Sequence, residues 1–334
     1  MKSDQLSLFP TGSASDTARD GSADRAALDA RYEKLREIAR ELPDTLRMGT
    51  SSWSFPGWRG IVYSSAESTT TLAREGLQEY AQHPLLRTVG LDRSYYAPIP
   101  EDDLRRYASQ LPDGFLCCAK LPGTLTAYTV PGAPRPQPNP DFLSADRFIE
   151  DVLTPFDRAF AAHTGPFILQ FPPLPARATL DPSAFAEMLD AFFDRLPRSA
   201  EYAVEIRDRS LLTEAYRRVL ARNAVAHVYN YWSAMPMPGE QVELIDPSNA
   251  PFTLVRLLMR PGTRYAQQKE TMAPFNRIVQ QDEYMRRDVT AILRKAAAAG
   301  QRAFLLVNNK AEGSSPLTIE AIAERLRHVR RATL

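Results

Sequence analysis

The sequence predicts an α/β fold, a (β/α)8 TIM barrel in a single domain, and three observations predict it. Eight short apolar runs recur along the chain, each ending in polar or charged residues and most followed by a stretch with helical spacing. No G-x-G-x-x-G and no G-x-x-x-x-G-K-[ST] stands at the end of any run, so a doubly wound open sheet would lack its usual Gly-rich first turn. At 334 residues the chain matches the size at which an α/β barrel folds as one unit.

Residues 1–22 are rich in Ser, Asp, Gly and Thr and read as a flexible, disordered tail, broken by one apolar island at Gln5-Leu6-Ser7-Leu8-Phe9-Pro10. Residues 23–45 read as an extra N-terminal helix and linker. Leu28, Tyr32, Leu35 and Ile38 share one face of a helix from Asp24 to Leu42, and Pro43 ends it. The barrel then takes residues 46–334.

The first strand, Leu46 to Ser52, runs into Trp53-Ser54-Phe55-Pro56-Gly57-Trp58-Arg59-Gly60. Gly and Pro set special backbone angles there, and the aromatics form either a hydrophobic plug or the wall of a pocket. From this point strands and helices alternate. Thr69 to His83 is helical and Leu86 to Asp92 a strand; Glu101 to Gln110 is helical and Phe115 to Leu121 a strand. A proline-rich loop, Pro131 to Pro140, leads to a helix from Ala145 to Ala162 and a strand from Phe167 to Phe171. Ser183 to Arg195 is helical, Tyr202 to Arg207 a strand, Leu212 to Arg222 helical and Ala224 to Tyr229 a strand. The crossover from Ser233 to Pro251 shows no clear helix. Phe252 to Leu258 is a strand, a long polar loop precedes a helix from Asp282 to Ala299, and Ala303 to Val307 and Ile319 to Arg330 are the last strand and helix.

Composition excludes several functional classes. Lys+Arg 41 against Asp+Glu 40 leaves a formal +1, so no overall field favours bulk nucleic acid or an anionic membrane. Cys117 and Cys118 are adjacent within an apolar run and read as small buried residues, not a disulfide framework or zinc site. No apolar run reaches the ~18 residues of a membrane span, and a signal-peptide core is missing, so a soluble cytoplasmic protein is expected.

Barrel active sites lie at the C-terminal ends of the strands. Those ends read Ser52 with Trp53, Asp92, Lys120, Gln170, Glu205 with Arg207, Tyr229, Arg256, and Asn308 with Asn309. Side chains two apart on a strand share a face, so Glu205 and Arg207 point the same way. Barrel interiors are normally filled by Val, Ile and Leu, so this many polar residues calls for an explanation. One is a self-satisfied network, with Glu205 paired to Arg207 or Lys120 and Asp92 to Arg256. The other is a site for a small anionic ligand, since Lys120, Arg207 and Arg256 outnumber Asp92 and Glu205 by one charge. No cofactor is implied. No metal is expected either: His227 is the one histidine on a predicted strand, and H-E-x-x-H spacing is absent, as is the G-x-S-x-G elbow of a serine triad.

Six short motifs stand in order along the chain: Gly49-Thr50-Ser51-Ser52-Trp53 with Pro56-Gly57-Trp58, Asp92-Arg93-Ser94-Tyr95-Tyr96, Pro112-Asp113-Gly114-Phe115 with Lys120 and Pro122, Leu169-Gln170-Phe171-Pro172-Pro173, Val204-Glu205-Ile206-Arg207 and Asn308-Asn309. On these motifs the chain resembles the DUF72 (YecE-like) family of TIM barrels of unestablished function, over about residues 46 to 330. Likeness of the family to sugar-isomerase and endonuclease barrels directs attention to sugars and sugar phosphates, as an analogy of fold. The chain departs from the family pattern at Val89-Gly90-Leu91-Asp92, where V-E-I-N is usual, and at Leu258 and Lys310, where histidines are common.

Two functions follow as expectations. In the first, an enzyme acts on a small anionic, sugar-like or phosphate-containing ligand. Glu205 is its general acid or base, with Lys120 and Asp92 completing the catalytic group. Arg207 and Arg256 clamp the anion, Tyr229 and Asn308 orient it, and Trp53, Tyr95, Gln170 and Asn309 complete the ligand contacts. In the second, the protein is a non-catalytic binding or adaptor protein. Gln5, Leu6, Leu8 and Phe9 match the Gln-Leu-[Ser/Asp]-Leu-Phe pattern by which bacterial repair and replication proteins dock on the DNA sliding clamp.

Overall fold

The computed structural model describes residues 14–130, 132–174, 180–263 and 265–327. Among them, eight parallel strands close into a barrel in chain order: β1 (Leu46–Thr50), β2 (Leu86–Leu91), β3 (Leu116–Lys120), β4 (Thr164–Phe171), β5 (Tyr202–Ile206), β6 (Ala226–Tyr231), β7 (Thr253–Leu257) and β8 (Ala303–Val307). β8 returns to β1, with Ala303 opposite Leu46, so the sheet has no edge. Between β1 and β2 the backbones approach so closely that a Cβ on Gly49 would lie 1.8 Å from the Thr88 carbonyl oxygen. Only glycine fits there.

Two cores follow from the period-2 alternation of the strands. Inside the barrel Cys118, Ile168, Ala203, Ala226, Val228, Leu254, Phe304 and Leu306 form one cluster. Outward-facing residues pack against the helices in a larger one. The crossover helices are α2 (Thr69–Glu75) with α3 (Leu77–Tyr80), α4 (Glu101–Ala108), α5 (Gly123–Thr126), α6 (Ala145–Phe148), α7 (Thr154–Ala159), α8 (Pro182–Asp194), α9 (Glu214–Asn223), α10 (Pro238–Leu244), α11 (Tyr265–Met272), α12 (Glu283–Ala298) and α13 (Ser315–Leu326). A π-helical stretch, Ile149–Leu153, joins α6 to α7 just before Pro155, which has no N–H to continue the α-helical ladder.

Before the barrel, α1 (Ala14–Glu41) begins ten residues ahead of the sequence expectation, so 14–22 is helical backbone rather than tail. Once the packed part of a helix is nucleated, each added residue contributes one hydrogen bond, which outweighs the Ser- and Asp-rich composition. Leu28, Tyr32 and Leu35 bury the predicted face, and the Tyr32 hydroxyl donates to the Val62 carbonyl at 3.0 Å. Arg31 pairs with Glu320 of α13. The Gln5–Phe9 island lies outside the described residues.

α10 and α11 were not expected. α10 is short and holds Gly239, a poor helix former, although Pro238 stands at the first position, where proline is favoured. Its anchor is tertiary: buried Gln241 donates to the carbonyls of Asn230 and Pro236, both at 2.7 Å, and accepts from the Asn230 N–H. Among the described residues no helix is long and apolar enough to cross a membrane.

Candidate functional site

Above the apolar interior, the next inward position on each strand is polar. On β3 Lys120 follows Cys118, on β4 Gln170 follows Ile168, on β5 Glu205 follows Ala203, and on β7 Arg256 follows Leu254. Asp92 stands directly after β2 and Arg207 directly after β5. A closed barrel brings these six side chains to one end.

They form one continuous relay. Gln170 Oε1 accepts from Arg207 Nη2 at 2.8 Å, and Arg207 Nε donates to Glu205 Oε1 at 2.7 Å. Glu205 Oε2 accepts from Arg256 Nη1. Arg256 Nη2 donates to both Asp92 oxygens, at 3.0 and 3.1 Å, and Asp92 Oδ2 lies 2.9 Å from Lys120 Nζ. The pairs foreseen in a self-satisfied network, Glu205 with Arg207 and Asp92 with Arg256, are therefore present. Depth is graded along the relay. Glu205 and Arg256 have no exposed side-chain surface, while the side chains of Lys120, Arg207 and Asp92 are 9, 13 and 24% exposed.

Electrostatics follow from that grading. Burial alone would push the Glu205 carboxyl up, but Arg256, Arg207 and Lys120 outweigh it and hold it down at about 2. Burial pushes the Lys120 ammonium down to about 8; Arg256 and Arg207 add to this, and Asp92 and Glu205 oppose it. For Arg256 burial is overcome by Asp92 and Glu205, so its proton is held more tightly than usual.

Aromatics rim the cluster. The Arg207 guanidinium lies 4.1 Å from the centroid of Trp232, and Lys120 Nζ lies 5.5 Å from that of Tyr95. Tyr95 meets Tyr96 edge-on at 5.7 Å, and Tyr96 is 87% exposed. Two buried atoms here have no protein partner, Arg256 Nε and Asn230 Oδ1, on residues in register across β6 and β7. Burying such an atom without a partner costs about 1–3 kcal/mol, so their concentration at the charged layer is informative.

Three expected contacts lie elsewhere, Tyr229, Trp53 and Asn309, whereas Asn308 follows the inward Leu306 of β8 by two positions. Tyr229 faces the helices: its hydroxyl donates to the Ile245 carbonyl at 2.5 Å, and its ring packs edge-on against His227. The inward residue at that level is Asn230, one position on, in step with Ala226 and Val228. The sequence reading missed it by ending the strand at Tyr229, whereas β6 runs to Tyr231. Trp53 is a plug, its indole N–H donating to the Leu72 carbonyl at 2.8 Å and its ring edge-on to Tyr107. Asn308 accepts from the Lys310 N–H at 3.1 Å, and Asn309 accepts from the N–H and hydroxyl of Ser315 at 2.8 and 2.7 Å, which fixes the start of α13. The amide oxygens of both shape the turn after β8.

His227 lies on the outer face, against Tyr216 and Gln241, and burial pushes its imidazolium down to about 4. It does not meet Asp92 or Glu205, which Arg256 bridges. Among the described residues no three His, Cys, Asp or Glu side chains gather as a metal site. A cleft of about 420 Å³ runs between α8 and α9 on the outer surface, where Arg222 pairs with Asp190.

No curated protein matches the chain. Among solved structures, a DUF72 family protein from Thermotoga maritima is similar with a TM-score of 0.61 at 16% identity, over 84% of this chain and 98% of that one. A DUF72 family protein from Enterococcus faecalis gives 0.57 at 15% identity, over 84% and 95%. At these identities the likeness bears on the fold. The sequence model of a family described as protein of unknown function DUF72 matches residues 47–333, and the chain belongs to that family.

Proposed function

We propose that the barrel mouth binds a small anionic ligand, sugar-like or phosphate-containing, and that the protein is an enzyme acting on it. The observation that carries this reading is the surplus cation. Arg207, Arg256 and Lys120 face Asp92 and Glu205, and the two most accessible cations, Lys120 and Arg207, stand beside aromatic faces. A guanidinium stacked on Trp232 keeps donors for a carboxylate or phosphate, and aromatic walls suit the apolar faces of a sugar.

Roles follow from depth. Glu205 has both oxygens engaged and, at about 2, takes up no proton near neutrality. It orients Arg207 and Arg256 rather than serving as the general acid or base expected from the sequence. Lys120, near 8, is the group suited to proton transfer at physiological pH. Calorimetric titration with a panel of sugar phosphates and carboxylates tests the reading. Saturable binding by the wild type, lost in Lys120→Met and in Arg207→Met with the fold intact by circular dichroism, is expected. Binding undiminished in both variants would overturn it.

A second reading rests on Gln5-Leu6-Ser7-Leu8-Phe9: the protein docks on the DNA sliding clamp as an adaptor, with Leu6, Leu8 and Phe9 entering an apolar pocket and Gln5 bonding at its rim. α1 begins at Ala14, within the stretch expected to be tail.

A further inference from the structure

We propose that Lys120 is an imine-forming nucleophile, and that the ligand of the mouth is an aldehyde or ketone carrying a carboxylate or phosphate. This rests on the anion-site reading above and names its chemistry.

Arg256 spans Glu205 and Asp92, and Arg207 takes the second oxygen of Glu205, so two guanidiniums and two carboxylates form a closed set. Guanidiniums do not release protons in proteins, so Lys120 is the cation that can become neutral. When it does, the buried cluster balances to zero. Burial and the flanking guanidiniums act in the same direction, toward the amine.

Position supports this. The chain has six lysines, and among the described residues Lys120 is the one that lies within a barrel strand, at its C-terminal residue, while Lys310 stands in the turn after β8. Lys34, Lys269 and Lys295 are exposed on helices. Asp92 lies 2.9 Å from Lys120 Nζ and is the most exposed member of the relay, where it can exchange protons with a bound molecule. Arg207, stacked on Trp232, is placed to hold the acidic group of that molecule.

The chemistry balances without another reactant. The Nζ lone pair attacks the carbonyl carbon, the C=O π pair moves to oxygen, and the proton leaving nitrogen reaches that oxygen through Asp92. The carbinolamine hydroxyl then takes a second proton and leaves as water while the nitrogen lone pair forms C=N. In sum, ammonium and carbonyl give iminium and water, with no change of oxidation state.

The test treats the full-length protein at pH 7 with glyoxylate, with glycolaldehyde phosphate and with neutral glycolaldehyde, each in the presence of cyanoborohydride. Intact mass and peptide mapping locate the reduced adduct. Labelling of Lys120 by at least one anionic carbonyl, at least about tenfold faster than labelling of Lys34, Lys269 or Lys295, is expected because the site holds the acidic group beside an amine that burial favours in its neutral form. The neutral aldehyde should label Lys120 more slowly, and Lys120→Arg should remove the adduct. The carboxylate and phosphate arms show which acid the site prefers. If the wild type binds anions by calorimetry yet Lys120 reacts no faster than the surface lysines, the imine proposal fails and the anion site survives. If the wild type binds no anion at all, both fail.

Discussion

Arg256 and Glu205 meet with neither side chain exposed, fifty-one positions apart in sequence and at the inner ends of β7 and β5. A fully buried ion pair is costly to desolvate, and breaking one by removing a single partner is costlier still. Arg256→Leu leaves the carboxylates of Glu205 and Asp92 without the cation they share. We expect a loss of about 3–5 kcal/mol in urea unfolding at pH 7. A loss below about 1 kcal/mol would mean that Arg207 alone neutralises Glu205.

Lys120→Met has the opposite sign. A buried cation in a cluster of surplus positive charge costs stability, so its removal should leave the unfolding free energy unchanged or raise it by about 1 kcal/mol. Unfolding of the variant under native conditions would assign Lys120 to the structural network.

pH separates Lys120 from Glu205. Burial lowers the folded-state pKa of Lys120 to about 8 from the ordinary 10.5. Between those values the unfolded chain binds more protons than the native one, so stability rises with pH across that window. The wild type should therefore gain on Lys120→Met between pH 8 and 10.5, and a flat difference would contradict it. For Glu205, lowered to about 2 from 4.5 by cations that outweigh its burial, the stabilisation is present above 4.5 and is lost as pH falls toward 2. Glu205→Gln should flatten that acid limb.

Tyr229 and Asn230 are neighbours with different roles. Tyr229→Phe removes one hydroxyl bonded to Ile245 and should cost about 1 kcal/mol of stability with anion binding unchanged. Asn230→Ala, in register with Arg256, should weaken anion binding several-fold. Calorimetry on both variants checks this, and the reverse pattern would restore Tyr229 to the mouth.

For the N-terminal segment, a labelled peptide of residues 1–15 titrated against sliding clamp from the same organism should show saturable micromolar binding. Replacement of Leu8 and Phe9 by Ala should abolish it. No binding at high clamp concentration would remove the adaptor reading.

The strands were legible because each is an apolar run closed by a change to polar residues, as Cys117–Ala119 is by Lys120. The same rule located Asp92, Lys120, Gln170, Glu205, Arg207 and Arg256, since closure of a barrel brings strand ends together whatever the helices do. Their pairing was less legible. Sequence allowed Glu205 to partner Lys120, whereas Arg256 occupies the carboxylate and leaves Lys120 to Asp92. Tyr229 was misplaced because the strand was ended two residues early, so the outward Tyr229 stood in for the inward Asn230 beside it. α10 escaped notice because it is short and Gln241 ties it to backbone groups of β6; its local signs are only Pro238 at the first position and Glu240, which accepts from the Met237 N–H.

Docking of α1 bears on how the chain is made. Arg31 waits for Glu320, 289 residues downstream, and β1 waits for β8 before its second edge is paired. At ribosomal speeds of about 5–20 residues per second, that delay is roughly 15–60 s, far longer than folding of a local βα unit. During it the nascent chain displays Leu28, Tyr32 and Leu35 without the α13 surface, together with an open strand edge. Synthesis thus exposes the same seam twice, from the helix side and from the sheet side, and one late helix–strand unit covers both.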